Sequence, residues 1–471
     1  MLPAERWQFP QCPHRQFDWR YQQYERMERQ HWLAPALVDI RERVGFTPKA
    51  ENHIKGRCIP PLKAVNTRML MPMRAQSAKA IHNMDYFSRG KAEFMTDFEK
   101  VKDFNSLYAA YRRSRQGKRG KATVAKFETN LLENLDLLSQ QLKAGTYRPQ
   151  PCNQFYVHEP KKRLVKANAF RDKVVQHSLS GEVLEPILTR SFILDNYAVQ
   201  VGKGTHYGLD RLRGFIRSYF FANKAVNDKN RRENGLPPLP THLGNYADGW
   251  VLKADIRKYF YTITHEQLKA LMRRHFDDEG VLWLIDLIID STGDPVGIPI
   301  GFLCSQWFAL AYLNDFDHFV KEVLKIKYYG RYMDDFFLIH ESKDYLKHCR
   351  REIERYIEGL GLGLNDKTNI FPLRHGIDFC GFHTYITDTG KVIRKVRKAS
   401  KEKAKRKLRA QKKRLDKGEI TIKDVKSSYQ SWRNHAMHGN SYHLTKKTDR
   451  QFNKLFKGSE ENAANFSKST Q

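Results

Sequence analysis

The chain has 471 residues, with 83 lysines and arginines against 52 aspartates and glutamates and a formal charge of +31. That length buries a sizeable core in about two to four units, and a charge of that size and sign makes nucleic acid the leading partner. No stretch reaches the roughly 18 apolar residues of a membrane span, and the opening MLPAERWQFP lacks a secretory pattern, so a cytoplasmic protein that does not cross a membrane is expected.

Residues 1–103 are rich in aromatics and charges but show no sustained periodicity, and read as an N-terminal extension of unknown role. The six cysteines, Cys12, Cys58, Cys152, Cys304, Cys349 and Cys380, include no CxxC pair, so reduced thiols are expected. Cys12 with His14, and His53 with Cys58, are weak half-sites for a metal. From Asn105 the pattern becomes helical: FNSLYAAYRRSRQGKRGK gives one helix. TVAKFETNLLENLDLLSQQLKAG gives a second, with Phe127, Leu131, Leu132, Leu135, Leu138 and Leu142 as its apolar positions and Gly145 as its stop. The basic loop at 115–121 between them either holds a phosphate backbone or is a solvated linker.

Residues 221–248, rich in Asn, Gly and Pro, read as a surface insertion. WVLKADIRKYFYTI then predicts a strand running into a turn, and VLWLIDLIID a short buried helix. IKYYGRYMDDFFLIH predicts a hairpin whose tip carries charge. From about Lys391 to Phe456 the chain is helical and very basic, and 458–471 read as a polar tail.

Two strands thus bring carboxylates forward: Asp255 at the end of one, Asp334 and Asp335 at a hairpin tip. Adjacent charges inside an apolar strand pair cost several kcal/mol unless cations compensate. Hard oxygen ligands on rigid strands suit two Mg²⁺ ions, with Mn²⁺ as an alternative, at the spacing of about 4 Å that nucleotidyl transfer uses.

At these residues the sequence resembles the reverse transcriptase family, and the resemblance runs in order from about 104 to 456. It implies an α+β right-hand polymerase: fingers over 104–250, a palm with an antiparallel sheet over 251–386, and a basic helical thumb over 387–457. In LKADIRKYF and YMDD the family's metal ligands fall on Asp255, Asp334 and Asp335, with Ile256 beside them in the metal set. EPKKRLVKANAFRDKVVQHSL resembles the fingers blocks of bacterial enzymes related to group II introns and diversity-generating retroelements. That likeness places Lys162 and Arg163 against the incoming triphosphate. Phe260 stands where the family has the aromatic side chain that excludes a ribose 2′-hydroxyl, implying DNA synthesis. Gly361 to Thr368 resembles the LNxxKT block, one residue shorter, with Lys367 as a general acid for the leaving pyrophosphate.

Phe379, Gly381 and Phe382 look like the primer grip. Gln306, in a GxxxSQ block similar to that of diversity-generating enzymes, is a candidate selectivity residue. In the run KVIRKVRKASKEKAKRKLRAQKKRLDK, Lys403, Arg406, Arg409 and Lys413 are expected on the phosphates of a template-primer duplex. The implied partners are a template RNA, a structured noncoding RNA first among them, the cDNA product and dNTPs, with a homo-oligomer or accessory protein left open. The long N-terminal extension fits bacterial defence-associated relatives better than compact diversity-generating enzymes; error-prone diversification and an inactive RNA-binding scaffold are the alternatives.

Overall fold

The computed structural model describes residues 95–158 and 162–468, with side chains through Lys457. Most of the N-terminal extension, and with it Cys12, His14, His53 and Cys58, lies outside the described residues. The described residues include a helix that precedes residue 104. Helix Asp97–Lys102 opens on a reciprocal cap between Thr96 and Glu99 and buries Val101 completely. Phe98 lies edge-on to Trp283, ring centres 5.9 Å apart, and its amide donates to Asp278 at 2.9 Å. A Cβ at Gly280 would fall 2.3 Å from the Phe98 ring, so only glycine admits this contact.

Helix Phe104–Ser114 follows as expected, but the second predicted helix is two, Ala122–Thr129 and Leu131–Lys143. The break is at Asn130, whose φ of −121° and ψ of 53° leave the helical region, and the Asn134 side chain closes the first piece by donating to the Phe127 carbonyl. Leu135, Leu138 and Leu142 are buried, whereas Leu132 faces solvent. Gly145, at φ +67°, ends the run.

Strands β1 (Asn153–Val157) and β2 (Arg163–Ala167) pair as an antiparallel ribbon with exposed residues along β1. Helix Phe170–Leu179 packs against Phe104–Ser114. The expected insertion at 221–248 proves to be, in its first half, the continuation of the long helix Thr205–Glu233. The buried stripe of Leu209, Leu212, Ile216, Tyr219 and Phe220 stops at Phe220, where the core ends, and Phe221 and Val226 are exposed. The following loop folds back onto the helix, Arg231 donating to the Pro237 carbonyl at 2.7 Å and Lys224 to the Leu239 carbonyl at 3.3 Å.

Strand β3 (Trp250–Asp255) is central to a four-stranded antiparallel sheet ordered β4-β5-β3-β6, where β4 is Tyr328–Tyr332, β5 Asp335–His340 and β6 Asn369–Pro372. Side chains alternate across a strand. Leu252, Ala254 and Ile256 therefore enter the larger core with Phe336 and Leu338, and Val251 enters a second core with Phe337, Ile339 and Phe379. The VLWLIDLIID segment forms the buried helix Glu279–Asp290. Strands β7 (Ile377–Phe379), β8 (Phe382–Ile386) and β9 (Val392–Val396) make a three-stranded antiparallel sheet beneath the second core. The basic C-terminal part consists of helices Lys398–Asp416, Ile422–Met437 and Tyr442–Lys468, so the polar tail is largely helix. No helix among the described residues is long and apolar enough to cross a membrane.

Candidate active site

In the sheet register Asp255 lies directly opposite Asp335, and Tyr332 opposite Asp335 on the other side. Lys253, two residues before Asp255, shares its face. Met333 and Asp334 form the tip of the β4-β5 hairpin, with Met333 at φ +57°, a left-handed value unusual for a side chain of its size. The Ile256 amide donates to the Asp334 carbonyl at 3.0 Å, which ties the tip to the end of β3. Ile256 itself is buried and apolar, so it can face a cation only through its backbone carbonyl.

The electrostatics follow from crowding. Burial, and then the Asp255 charge, push the Asp334 carboxyl above the usual carboxylate range, with Arg163 and Lys253 opposing the rise. Lys253 is pushed down to about 8 by burial, with Asp255 and Asp334 among the acids resisting the fall. Its ammonium forms an ion pair with Asp335, lies 5.4 Å from the centre of the Phe379 ring and reaches the Phe336 carbonyl at 3.4 Å. With Asp335 turned to Lys253, no three acidic, imidazole or thiol groups among the described residues are gathered around a common cation position. The donor chemistry nonetheless suits Mg²⁺: hard carboxylate oxygens on two adjacent strand ends, where burial and the Asp255 charge raise the Asp334 carboxyl.

Lys253 was missed in the sequence, although a lysine amid the apolar WVLKAD strand, two residues from an aspartate, was a readable signal. Asn365 was also missed. Its side chain donates to Asp255 Oδ2 at 3.1 Å and its amide to the Asp255 carbonyl at 2.7 Å. The Lys367 amide in turn donates to Asn365 Oδ1 at 3.1 Å, so one asparagine fixes both the Asp255 carboxylate and the turn displaying the exposed Lys367.

Lys162 and Arg163 are exposed at the start of β2; Lys162 stacks over Tyr156 at 4.4 Å, and Arg163 is close enough to act on Asp334. The β1-β2 ribbon is joined to the segment before helix Leu303–Tyr312 where the Lys166 amide donates to the Ile300 carbonyl at 3.0 Å. Gly301, at φ +118°, allows that contact, since a Cβ there would sit 2.7 Å from the Lys166 carbonyl. Phe260 is half-buried in the turn Tyr259–Thr262, its carbonyl accepting from Ile298 at 2.8 Å. Gln306 is half-buried in helix Leu303–Tyr312, whose first amide donates to the buried Gln176 side chain at 3.1 Å.

The primer-grip reading needs correction at two residues. Phe379 and Phe382 are 1% and 0% exposed, Phe379 packing on Phe337 and Tyr197, so they shape the hairpin from inside and cannot touch a strand. Only Cys380 and Gly381, at φ +45° and +86°, form its tip. On helix Lys398–Asp416 the buried Ala404 and Leu408 define one side, and Arg406, Arg409 and Lys413 are exposed on the opposite side at about 100° per residue. Lys403 is set apart from them, half-buried at the groove shared with Lys407, Tyr429 and Trp432.

Residues 226–384 match the family model described as reverse transcriptase (RNA-dependent DNA polymerase). That stretch contains Asp255, the 332–335 turn and the 380–381 turn between β7 and β8. Protein YkfC of Escherichia coli (strain K12) is 24% identical, over 54% of this chain and 72% of its own length. Among solved structures, telomerase from Candida albicans in complex with a fragment of telomeric RNA is 13% identical with a TM-score of 0.36, covering 53% of this chain and 46% of that one. Apo telomerase from Candida tropicalis is 15% identical with a TM-score of 0.35, covering 56% and 53%. The chain spans about half the length of these telomerase chains. The described residues form a mixed helix and antiparallel-sheet fold, and within it residues 226–384 are similar to the reverse transcriptase domain.

Proposed function

We propose that the protein copies an RNA template into DNA by two-metal nucleotidyl transfer at Asp255, Asp334 and Asp335. The observation that carries this reading is the crowding of Asp334 against Asp255 at two paired strand ends, with Lys253 as the local counter-charge. Two Mg²⁺ ions held by the three carboxylates and the Ile256 carbonyl would lower the pKa of the primer 3′-hydroxyl and neutralise the departing pyrophosphate. Asn365 orients the Asp255 carboxylate toward that position. Lys162 and Arg163 receive the triphosphate from the fingers side, Phe260 bars a 2′-hydroxyl, Gln306 flanks the nascent pair, and Lys367 supplies a proton to pyrophosphate. The 380–381 turn carries the primer strand, and Arg406, Arg409 and Lys413 hold duplex phosphates, with Lys403 to one side of them.

The test is dNTP incorporation by the full chain purified with its own RNA. Mg²⁺-dependent templated product that disappears in Asp334→Asn supports the reading; absence of synthesis on every template, or an equally active Asp334→Asn, overturns it in favour of an RNA-binding scaffold.

For biological role we favour antiphage defence with a dedicated structured noncoding RNA as template, on the strength of the extension that precedes residue 104 in the sequence. Sequencing the copurifying DNA separates the alternatives. Repetitive or noncoding-RNA-derived product fits defence, and copies of a mutable receptor gene fit diversification.

A further inference from the structure

Beneath the 332–335 turn lies a buried polar network that the reaction itself does not use. Arg331 and Asp317 are both 0% exposed. The guanidinium grips the carboxylate with two bonds, Nε to Oδ1 at 2.7 Å and Nη2 to Oδ2 at 2.5 Å, and the Tyr329 hydroxyl donates to Oδ1 at 2.6 Å. The remaining arm, Nη1, donates to the Met333 carbonyl at 2.9 Å. The backbone of Arg331 is fixed as well: its amide donates to the Asp195 carbonyl at 2.9 Å and its carbonyl accepts from Tyr197 at 3.0 Å.

Stability alone does not explain such a pair. Replacing a buried ion pair with apolar side chains of similar volume is often neutral or stabilising, because two charges no longer have to be desolvated. What an apolar side chain cannot do is donate a hydrogen bond to the Met333 carbonyl. Met333 is the residue held at φ +57°, and its carbonyl is part of the peptide that leads into Asp334. A planar guanidinium can satisfy a carboxylate with one edge and aim a third N–H in a fixed direction; a lysine ammonium cannot. Asp317 fixes the plane, Arg331 fixes the carbonyl, and the turn keeps its left-handed residue.

We infer that Arg331, oriented by Asp317, is a positioning residue that holds the 332–335 turn in the shape that presents Asp334. This rests on the polymerase reading for its catalytic consequence, but the structural claim can be read without activity.

The experiment uses the full chain with Arg331→Met, Asp317→Leu and Tyr329→Phe combined, which empties the network of polar groups together. The expected result is a folded protein that binds template RNA and dNTP within about twofold of wild type, with kcat lower by roughly tenfold to a hundredfold, as for a small displacement of reacting groups. Hydrogen exchange at the Ile256 amide, the donor to Asp334, should accelerate. Adding Met333→Gly should restore part of kcat, since glycine takes positive φ without strain. Should the triple variant fail to fold, Arg331→Lys is read by the same two measurements with the same expectation. Wild-type kcat together with unchanged Ile256 exchange overturns the inference. If the wild-type chain makes no DNA on any template, the polymerase reading fails by itself, and Ile256 exchange still decides the role of Arg331.

Discussion

Lys253 occupies, with a single charge, the region where the proposed two-metal reaction would place its cations. Paired with Asp335 and close to Asp255, it relieves repulsion among the carboxylates. Lys253→Met should lower stability by about 1–3 kcal/mol in EDTA, the usual cost of stranding one partner of a part-buried pair. Mg²⁺ should recover most of that loss, because the ions take over the same compensation. Thermal melts with and without Mg²⁺ measure it, and an equal loss in both conditions would sink the idea. At Phe260, exchange for alanine should raise rNTP use relative to dNTP by at least about tenfold, read from the two kcat/KM values; an unchanged ratio rejects the gate. Asp255, Asp334 and Asp335 were legible because charges inside apolar strands stand out against the pattern. Asp317 was not, since nothing local marks a polar residue that will be enclosed by a partner 14 residues away, and Asn365, although inside the block at 361–368, gave no sign of its partner 110 residues away.

Among the elements, helix Phe170–Leu179 carries a pH response. Burial, reinforced by Lys118, Arg113 and Lys173, pushes His177 down to about 4. The folded state thus keeps His177 neutral where the unfolded chain protonates it, at an ordinary value of about 6.5. Its contribution is fully present above that value and is lost as pH falls toward about 4, at no more than about 1.4 kcal/mol per pH unit. Urea unfolding at several values between these limits should show the slope, and His177→Asn should flatten it. Element types were largely readable from periodicity, since β3, the β4-β5 hairpin and helix Glu279–Asp290 carry unambiguous apolar patterns. Lengths were not: helix Thr205–Glu233 runs past the end of its buried stripe, where composition alone suggested a loop. Phe379 and Phe382 were misplaced for a related reason, since the turn between them directs both rings into the core and leaves only the turn outside.

For the molecule as a whole, the charge of +31 is of the sign that attracts phosphate backbones. Each phosphate neutralised on a B-form duplex contributes about 0.9 to the slope of log affinity against log salt. Changing Arg406, Arg409 and Lys413 together to glutamine should therefore flatten that slope by about 2–3 without altering sequence preference, as fluorescence anisotropy across a salt series would show. Strand β3 has a different reach. Leu252 and Ala254 enter the larger core from one face and Val251 enters the second core from the other, and Asp255 stands at its end. Neither core can loosen without disturbing the strand that ends at Asp255, the first carboxylate of the proposed site. Activity and structure should consequently vanish together on heating, their midpoints superimposed, with no inactive yet folded species on the way and no half-melted enzyme that still works.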